Sequence, residues 1–384
     1  MTSSAVLARL CAVQGELRAL VADLDDTAYR AQFHPDLSPL GWHLGHCSFV
    51  ENYWLREVVG SDPTLTESLA RFYVPTNSHK PDRGLALPDR AQLLAEVRYQ
   101  QDGNLRLLSE AACGLDSHPL MENDYLVKFL VQHHAQHIET MYMARTQRTL
   151  TTGHGEFTPV RSLSAAPVMR AWRTMEAGRY WIGGRRADAF DNELPAHRTA
   201  CETFRIGARP VTNAEYLRFI NDDAYHKRQY WSEAGWRFRQ DTGATHPQHW
   251  RWHTQHGWFG IGAAGAHALS PEIPVYGIGY HEAQAFAAYA NARLPHEYEW
   301  EIARRAGLLE RVGHVWEWCD NAFHSYAGFE PFPYDEYSLP WFSGTHYTLR
   351  GASRYTRPDV KRISFRNFYT PEKRHIFAGL RLAF

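Results

Sequence analysis

Apolar residues in the first 150 positions recur at steps of three and four, the period of amphipathic helices. Leu7, Leu10, Val13, Leu17, Leu20 and Leu24 form the first such stripe. Ser38-Pro39 offers a capping hydroxyl followed by proline at a first helical position. It predicts a second helix carrying Trp42, His43, Leu44, Gly45, His46 and Cys47 toward Val59. A long loop marked by Pro63, Pro75, Pro81 and Pro88 follows. A third helix is expected over residues 89–112, with Leu93, Leu94, Val97, Leu105 and Leu108 inward, and a fourth over 123–145. Four such helices predict an antiparallel bundle, whose facing helices can build a metal site. Residues 151–168 lose periodicity and are rich in Thr, Ser, Pro and Gly, so they read as a linker. Beyond them Trp and Gly become frequent and turn residues recur every few positions. Only 213–221 and 281–292 read as helices; the rest predicts short strands and long structured loops. The expectation is an α+β protein of two domains, residues 1–150 and 169–384, joined by 151–168.

The fourth helix carries the most distinctive chemistry. His133 and His137 are four residues apart and share a helix face, and two imidazoles so spaced can bind one metal ion. His134 points about 100° away from His133. A polar face of hydrogen-bonded histidines fits the same pattern, and spacing alone leaves both readings open. Composition narrows the rest. The net charge of −1 over 384 residues gives no electrostatic case for nucleic-acid or membrane partners. An aromatic content of 14% suits flat, cationic or sugar-like ligands. Cys11, Cys47, Cys113, Cys201 and Cys319 are odd in number and scattered, which argues against a disulfide framework and fits a reducing cytoplasm. No basic segment followed by an apolar run opens the chain, and no apolar run approaches a membrane span, so a cytoplasmic protein is expected.

Six pieces in the second half carry a resemblance. They are Asp191-Asn192-Glu193-Leu194-Pro195, Pro210-Val211-Thr212-Asn213-Ala214-Glu215-Tyr216, Arg293-Leu294-Pro295-His296-Glu297-Tyr298-Glu299-Trp300-Glu301, Gly313-His314-Val315-Trp316-Glu317-Trp318, Leu349-Arg350-Gly351-Ala352-Ser353 and Gly379-Leu380-Arg381-Leu382-Ala383. In this order they resemble the formylglycine-generating-enzyme-like (sulfatase-modifying-factor) domain, a C-type-lectin-like fold. The first half resembles a DinB-like four-helix bundle. Together they resemble the ergothioneine-type sulfoxide synthases, non-haem iron enzymes. That resemblance implies Fe(II) and O2, with hercynine, the trimethyl betaine of histidine, as acceptor. Ser38-Pro39-Leu40-Gly41-Trp42-His43-Leu44-Gly45-His46 matches the family stretch that supplies an iron ligand, which makes His46, His133 and His137 the metal ligands and His43 a surface or supporting residue. The stretch 329–338 resembles the family's active-site loop, with Tyr334 as catalytic tyrosine and Tyr337 holding substrate. Gln136 and Asn367 match the residues that hold hercynine. No carboxylate is placed to make a two-His, one-carboxylate triad: Glu139 and Glu51 both fall on the wrong side of their helices.

The chain departs from the family at the donor site. Enzymes that use γ-glutamylcysteine follow the Asn with Trp-Asp and an Arg four residues later; here Phe368, Tyr369 and Lys373 occupy those positions, and Arg374 is one residue out of register. The exchange removes a partner for an ammonium group and a bidentate partner for a carboxylate. It resembles the selenoneine synthase branch, whose donor is a selenosugar; the alternative is a thiol donor of the ergothioneine type. A metal-dependent thiol transferase without O2 is a second alternative, against which the Tyr334/Tyr337 loop argues. A formylglycine-generating enzyme would need a cysteine pair near the C-terminal end, and no cysteine follows Cys319. A non-catalytic lectin-like module is also compatible with the fold.

Overall fold

The computed structural model describes residues 2–110, 115–153, 155–168 and 171–384; the expected end of the third helix at 111–112 and Cys113 lie outside them. The chain forms two compact units, Met1–Gly153 with Tyr355–Val360, and His154–Arg354 with Lys361–Phe384.

The first unit is helical: α1 (Ser4–Ala22), α2 (Asp26–Arg30), α3 (Leu40–Asn52), α4 (Ala70–Tyr73), α5 (Arg90–Ser109) and α6 (Tyr125–Thr152). α1 packs on α3, α5 and α6, and α3 packs on α5 and α6. Their buried stripes supply Leu10, Val13 and Leu17, then Leu40, Leu44 and Cys47, then Leu93, Val97 and Leu108, then Leu130, Ile138 and Met141. Burying each such side chain contributes about 1.5–3 kcal/mol. α3 continues as a π-helical stretch over Tyr53–Val59. Its start differs from the expectation. Pro39, not Ser38, takes the capping position and makes no side-chain capping bond, because the Ser38 hydroxyl instead accepts from Arg83 Nη1 at 2.6 Å. α6 runs on to Thr152, into sequence that reads as linker. There Thr149, Thr151 and Thr152 donate their hydroxyls to carbonyls four residues back, which keeps a Thr-rich end helical. The segment Tyr355–Val360 packs with this unit: Tyr355 stacks on Tyr142 at 4.7 Å, Thr356 Oγ1 donates to Glu139 at 2.7 Å, and Asp359 accepts from Arg9 at 2.8 Å.

Among the described residues the second unit contains helices α7 (Asn213–Asn221), α8 (Glu233–Thr242), α9 (Tyr280–Tyr289) and α10 (Glu297–Arg305) and eleven short strands. β1 (Trp172–Met175) pairs with β4 (Phe204–Gly207), and β2 (Gly178–Ile182) with β3 (His197–Cys201). β5 (Trp250–His253), β6 (Gly257–Gly262) and β7 (Gly265–Ala268) form a meander. β8 (Trp316–Ala322), β9 (Tyr347–Gly351), β10 (Asn367–Tyr369) and β11 (Ala378–Leu380) form the largest sheet, in the order β10-β9-β8-β11. α7 and α9 were legible as helices; α8 and α10 were not. Only Gly235 and Phe238 of α8 are buried, a stripe too thin to read. α10 buries Glu297 and Glu301 beside Trp300 and Ile302, so charge interrupts its apolar face.

Those glutamates are matched. Glu297 accepts from Arg366 at 2.8 and 2.7 Å, and Glu301 pairs with Arg350 and Arg305. Glu317, on the central strand β8, accepts from Arg381 at 2.7 and 2.9 Å and from Trp300 Nε1 at 2.7 Å. Trp316, Glu317, Trp318 and Cys319 are all buried, so β8 shows none of the alternation that marks a strand with one wet face.

Close packing against α3 generates a prediction. A Cβ added at Gly45 would lie 2.3–2.4 Å from the Tyr73 ring. Gly45→Ala should therefore lower the stability of the helical unit by about 1–3 kcal/mol, despite the gain of up to about 1 kcal/mol in helix propensity. Denaturant unfolding followed by circular dichroism is the measurement.

Candidate functional site

α3 and α6 bring His46, His133 and His137 together. One ring nitrogen from each lies within 4.8 Å of the others, and the ring centroids are 4.5–5.3 Å apart. His46 is buried, and His133 and His137 are partly exposed. His46 Nδ1 donates to the Tyr73 carbonyl at 2.7 Å, which leaves its Nε2 lone pair to a metal, the usual arrangement for a ligating histidine. Trp42 stacks on His46 at 4.7 Å and 11°, is capped on its ring by the Arg83 guanidinium at 3.9 Å, and is pinned by Nε1 donating to the Phe72 carbonyl at 2.8 Å. The loop between α3 and α5, read in the sequence only through its prolines, thus fixes the first histidine.

The other two are held by histidines. His137 Nδ1 lies 2.9 Å from His43 Nδ1. His43 is buried, so of the two readings open for it the surface one does not hold. If His137 ligates through Nε2, its Nδ1 carries the hydrogen and His43 accepts it. His133 Nδ1 lies 3.4 Å from His134 Nδ1, and His134 Nε2 lies 3.1 Å from Glu51 Oε2. A carboxylate only accepts, so His134 Nε2 carries the hydrogen. Glu51 is fully buried and also accepts from Gln14 Nε2 at 2.9 and 3.0 Å and from Asn104 Nδ2 at 2.9 Å. Burial pushes His46 down to about 4 and His43 to about 3, and holds His133 and His137 well below the ordinary imidazole value. Neutral imidazoles with engaged Nδ1 atoms and convergent free nitrogens suit a borderline divalent cation. Gln136, one residue before His137, is partly exposed on α6. Glu139 faces Thr356, as described, and stands outside the histidine cluster.

The second unit holds the remaining candidates. Tyr334 and Tyr337 lie with ring centroids 6.2 Å apart, and Tyr337 stacks on Phe190 at 4.3 Å. Their loop is tied to the turn Asp191–Glu193: the Ser338 hydroxyl donates to Asp191 Oδ1, Phe332 N donates to Asp191 Oδ2 at 3.4 Å, and Asn192 Nδ2 donates to Ser338 at 3.0 Å. Burial first, then the negative charge of Asp191, raises the Tyr334 phenol above its ordinary value. Asn367, Phe368 and Tyr369 are consecutive on β10. Asn367 Oδ1 accepts from Phe368 N at 2.9 Å, Phe368 stacks on Phe323 at 4.2 Å, and Tyr369 meets the His375 ring edge-on at 6.4 Å. Lys373 Nζ lies 3.2 Å from Glu372. Arg374 is bound by Glu282 at 2.7 and 3.0 Å and by the His246 carbonyl.

Sequence reasoning set Glu51 and His134 aside as poorly placed for the metal and gave Asp191 no role. A signal for the first existed: Leu40, Leu44, Cys47 and Glu51 share one helix face, so a carboxylate sits on an otherwise apolar stripe. Gln101 and Asn104 interrupt the stripe of α5 in the same way. Asp191 was quoted only as part of a motif.

Two family models match the chain: the sulfatase-modifying factor enzyme 1-like domain over residues 165–312 and 305–384, and the DinB superfamily over 9–141. Three curated relatives match over nearly their whole lengths. The hercynine oxygenase of Mycolicibacterium thermoresistibile is 33% identical, over 94% of this chain and 91% of the relative. That of Mycobacterium tuberculosis is 32% identical over 94% and 95%, and that of Mycolicibacterium smegmatis 30% identical over 100% and 99%. Among the described residues no helix is long and apolar enough to cross a membrane.

The Glu51 cluster makes a prediction of its own. Glu51→Ala leaves the buried donors of Gln14, Asn104 and His134 without their acceptor, and should destabilise the helical unit by about 3–5 kcal/mol. Urea unfolding of the metal-free protein measures it; a change within about 0.5 kcal/mol would show that the carboxylate is not structural.

Proposed function

This chain belongs to the ergothioneine-type sulfoxide synthase family, and on that premise we propose that it is a non-haem Fe(II)- and O2-dependent enzyme that joins the sulfur of a thiol donor to the imidazole C2 of hercynine. The observation that carries the reading is the convergence of three neutral imidazoles from α3 and α6. His46, His133 and His137 would hold the iron, and neutral ligands leave its full charge to attract an anionic thiolate. Bound there, Fe(II) supplies the redox chemistry that couples dioxygen to the two substrates. The protein's own part is binding, orientation and one proton. Gln136 and Asn367 hold hercynine, and Tyr337 helps to hold substrate. Tyr334, kept as a phenol by burial and by Asp191, donates a proton or hydrogen bond from Oη where negative charge develops on oxygen.

Anaerobic loading with Fe(II), followed by oxygen, hercynine and a thiol, with products identified by mass and oxygen uptake recorded, tests this reading. His133→Ala should lose iron together with turnover. Tyr334→Phe should keep iron and hercynine binding and slow or redirect turnover, by about 10²–10⁴-fold if the phenol is the acid. Turnover without oxygen uptake would instead support a metal-dependent thiol transferase.

A second reading, the selenoneine branch with a selenosugar donor, has its own support. A γ-glutamyl donor brings an ammonium and carboxylates that need paired partners. Here the position of the family's acid is Tyr369, Lys373 lies against Glu372, and Arg374 is engaged by Glu282. A neutral pyranose needs only hydroxyl partners and a flat apolar face, which Tyr369 and Phe368 can offer. In competition at equal donor concentration with hercynine saturating, this reading expects a selenosugar to be used in preference to γ-glutamylcysteine. Tyr369→Asp combined with Lys373→Arg should then move the ratio toward γ-glutamylcysteine by about tenfold or more, equivalent to about 1.4 kcal/mol. A wild-type preference for γ-glutamylcysteine leaves the thiol reading alone.

A further inference from the structure

Six buried glutamates of the second unit, Glu193, Glu215, Glu282, Glu297, Glu301 and Glu317, each face an arginine. Asp191 is as buried as they are, at 1% exposure, and has no cation within ion-pair distance among the described residues. Its partners are neutral: Ser338 Oγ, Phe332 N and its neighbour Asn192 N at 2.7 Å. Two of the three belong to the loop that carries Tyr334 and Tyr337. An unpaired buried carboxylate destabilises a fold and is retained where it serves a site.

We propose that Asp191 is a positioning residue for the reaction, whose carboxylate ties down the loop from Phe332 to Ser338 and so places Tyr334. The inference rests on the role given to Tyr334 above. Burial raises the Asp191 carboxyl from 3.8 to about 6, against the pull of its three hydrogen bonds, and the charge of Glu193 adds to the rise. Arg366, which donates to the neighbouring Asn192 carbonyl at 2.6 Å, is bound by Glu297, and Asp335 is exposed. Glu193 is neutralised by Arg362, the Arg186 guanidinium lies 5.0 Å over the Phe332 ring rather than on Asp191, Glu336 is exposed, and Tyr334 is itself held neutral. Because the folded value lies above the unfolded one, the charge costs stability rather than adding it. The cost is absent below about pH 4 and complete above about pH 6, the two values that bracket the shift.

Asp191→Asn tests this. The amide oxygen can still accept from Ser338 and Asn192 N, so the turn keeps most of its bonds while the charge is removed. The expected result is a Tm at pH 7.5 equal to or above that of the wild type, with the difference shrinking toward pH 4. Iron content should be unchanged, and kcat should fall on the order of 10²-fold, the scale of a small misplacement of a reacting group. Protonation of Asp191 removes an acceptor from the loop, so the wild-type kcat should show an acid limb centred near pH 6, and that limb should flatten in this variant. Ser338→Ala, which cuts the tie and leaves the charge, should lower kcat but keep that limb. An Asp191→Asn protein that is less stable than wild type at pH 7.5, or that retains the wild-type rate and pH profile, overturns the proposal. If the wild type shows no oxygen-dependent turnover with hercynine, the functional reading fails by itself. The comparison of Tm against pH then still decides whether Asp191 carries an uncompensated charge.

Discussion

Glu51 sits at the centre of the helical unit with no solvent exposure, and its two oxygens accept from α1, α5 and α6 while it belongs to α3. A carboxylate in such a place is tolerable only when its oxygens are met by donors. The three donors do that, and in doing so they fix the mutual register of all four long helices. An apolar core of leucines could be repacked by a small slide of one helix; a carboxylate with three directional partners cannot. The consequence for chemistry is direct. His46 lies on the same helix as Glu51, and His133 and His137 on the same helix as His134. The bond between Glu51 and His134 therefore ties the helix that carries His46 to the helix that carries His133 and His137.

The second unit follows the same electrostatic rule in another form. Its buried acids are neutralised by arginines, whose planar, permanently charged groups suit bidentate pairing. Apart from Glu282 with Arg374, these pairs have at least one partner in the stretches that mark the family in sequence, among them Glu297, Glu301, Glu317, Arg350 and Arg381. Removing either partner of such a pair would leave a buried charge uncompensated. The acid that breaks the rule, Asp191, lies against the tyrosine loop.

The helical half was legible because its helices repeat at 3.6 residues and the i, i+4 spacing of His133 and His137 is local. His46 came from a motif, since no local pattern links it to residues so far along the chain. What stayed hidden was set by tertiary contacts. Ser38 lost its expected capping role to Arg83, a residue 45 positions away. The end of α6 looked like a linker because threonines are poor helix formers until their hydroxyls bond back. α10 escaped notice because its inward face carries glutamates whose arginine partners lie at sequence separations of 49 and 69 residues. The His43 contact with His137 spans 94 positions and has no signature at all.

β10 stands at the edge of its sheet, bonded on one side to β9 and on the other to no strand among the described residues. β8, two places inward, cannot change Glu317 without stranding Arg381 and Trp300. Asn367, Phe368 and Tyr369 are only partly buried, and an edge strand of three residues has few neighbours to disturb. Phe368 and Tyr369 can therefore be exchanged at little cost to the fold, whereas the helices that carry the three histidines and the arginine-paired interior cannot. An edge strand of this kind can change what it touches without the chain having to relearn how to fold.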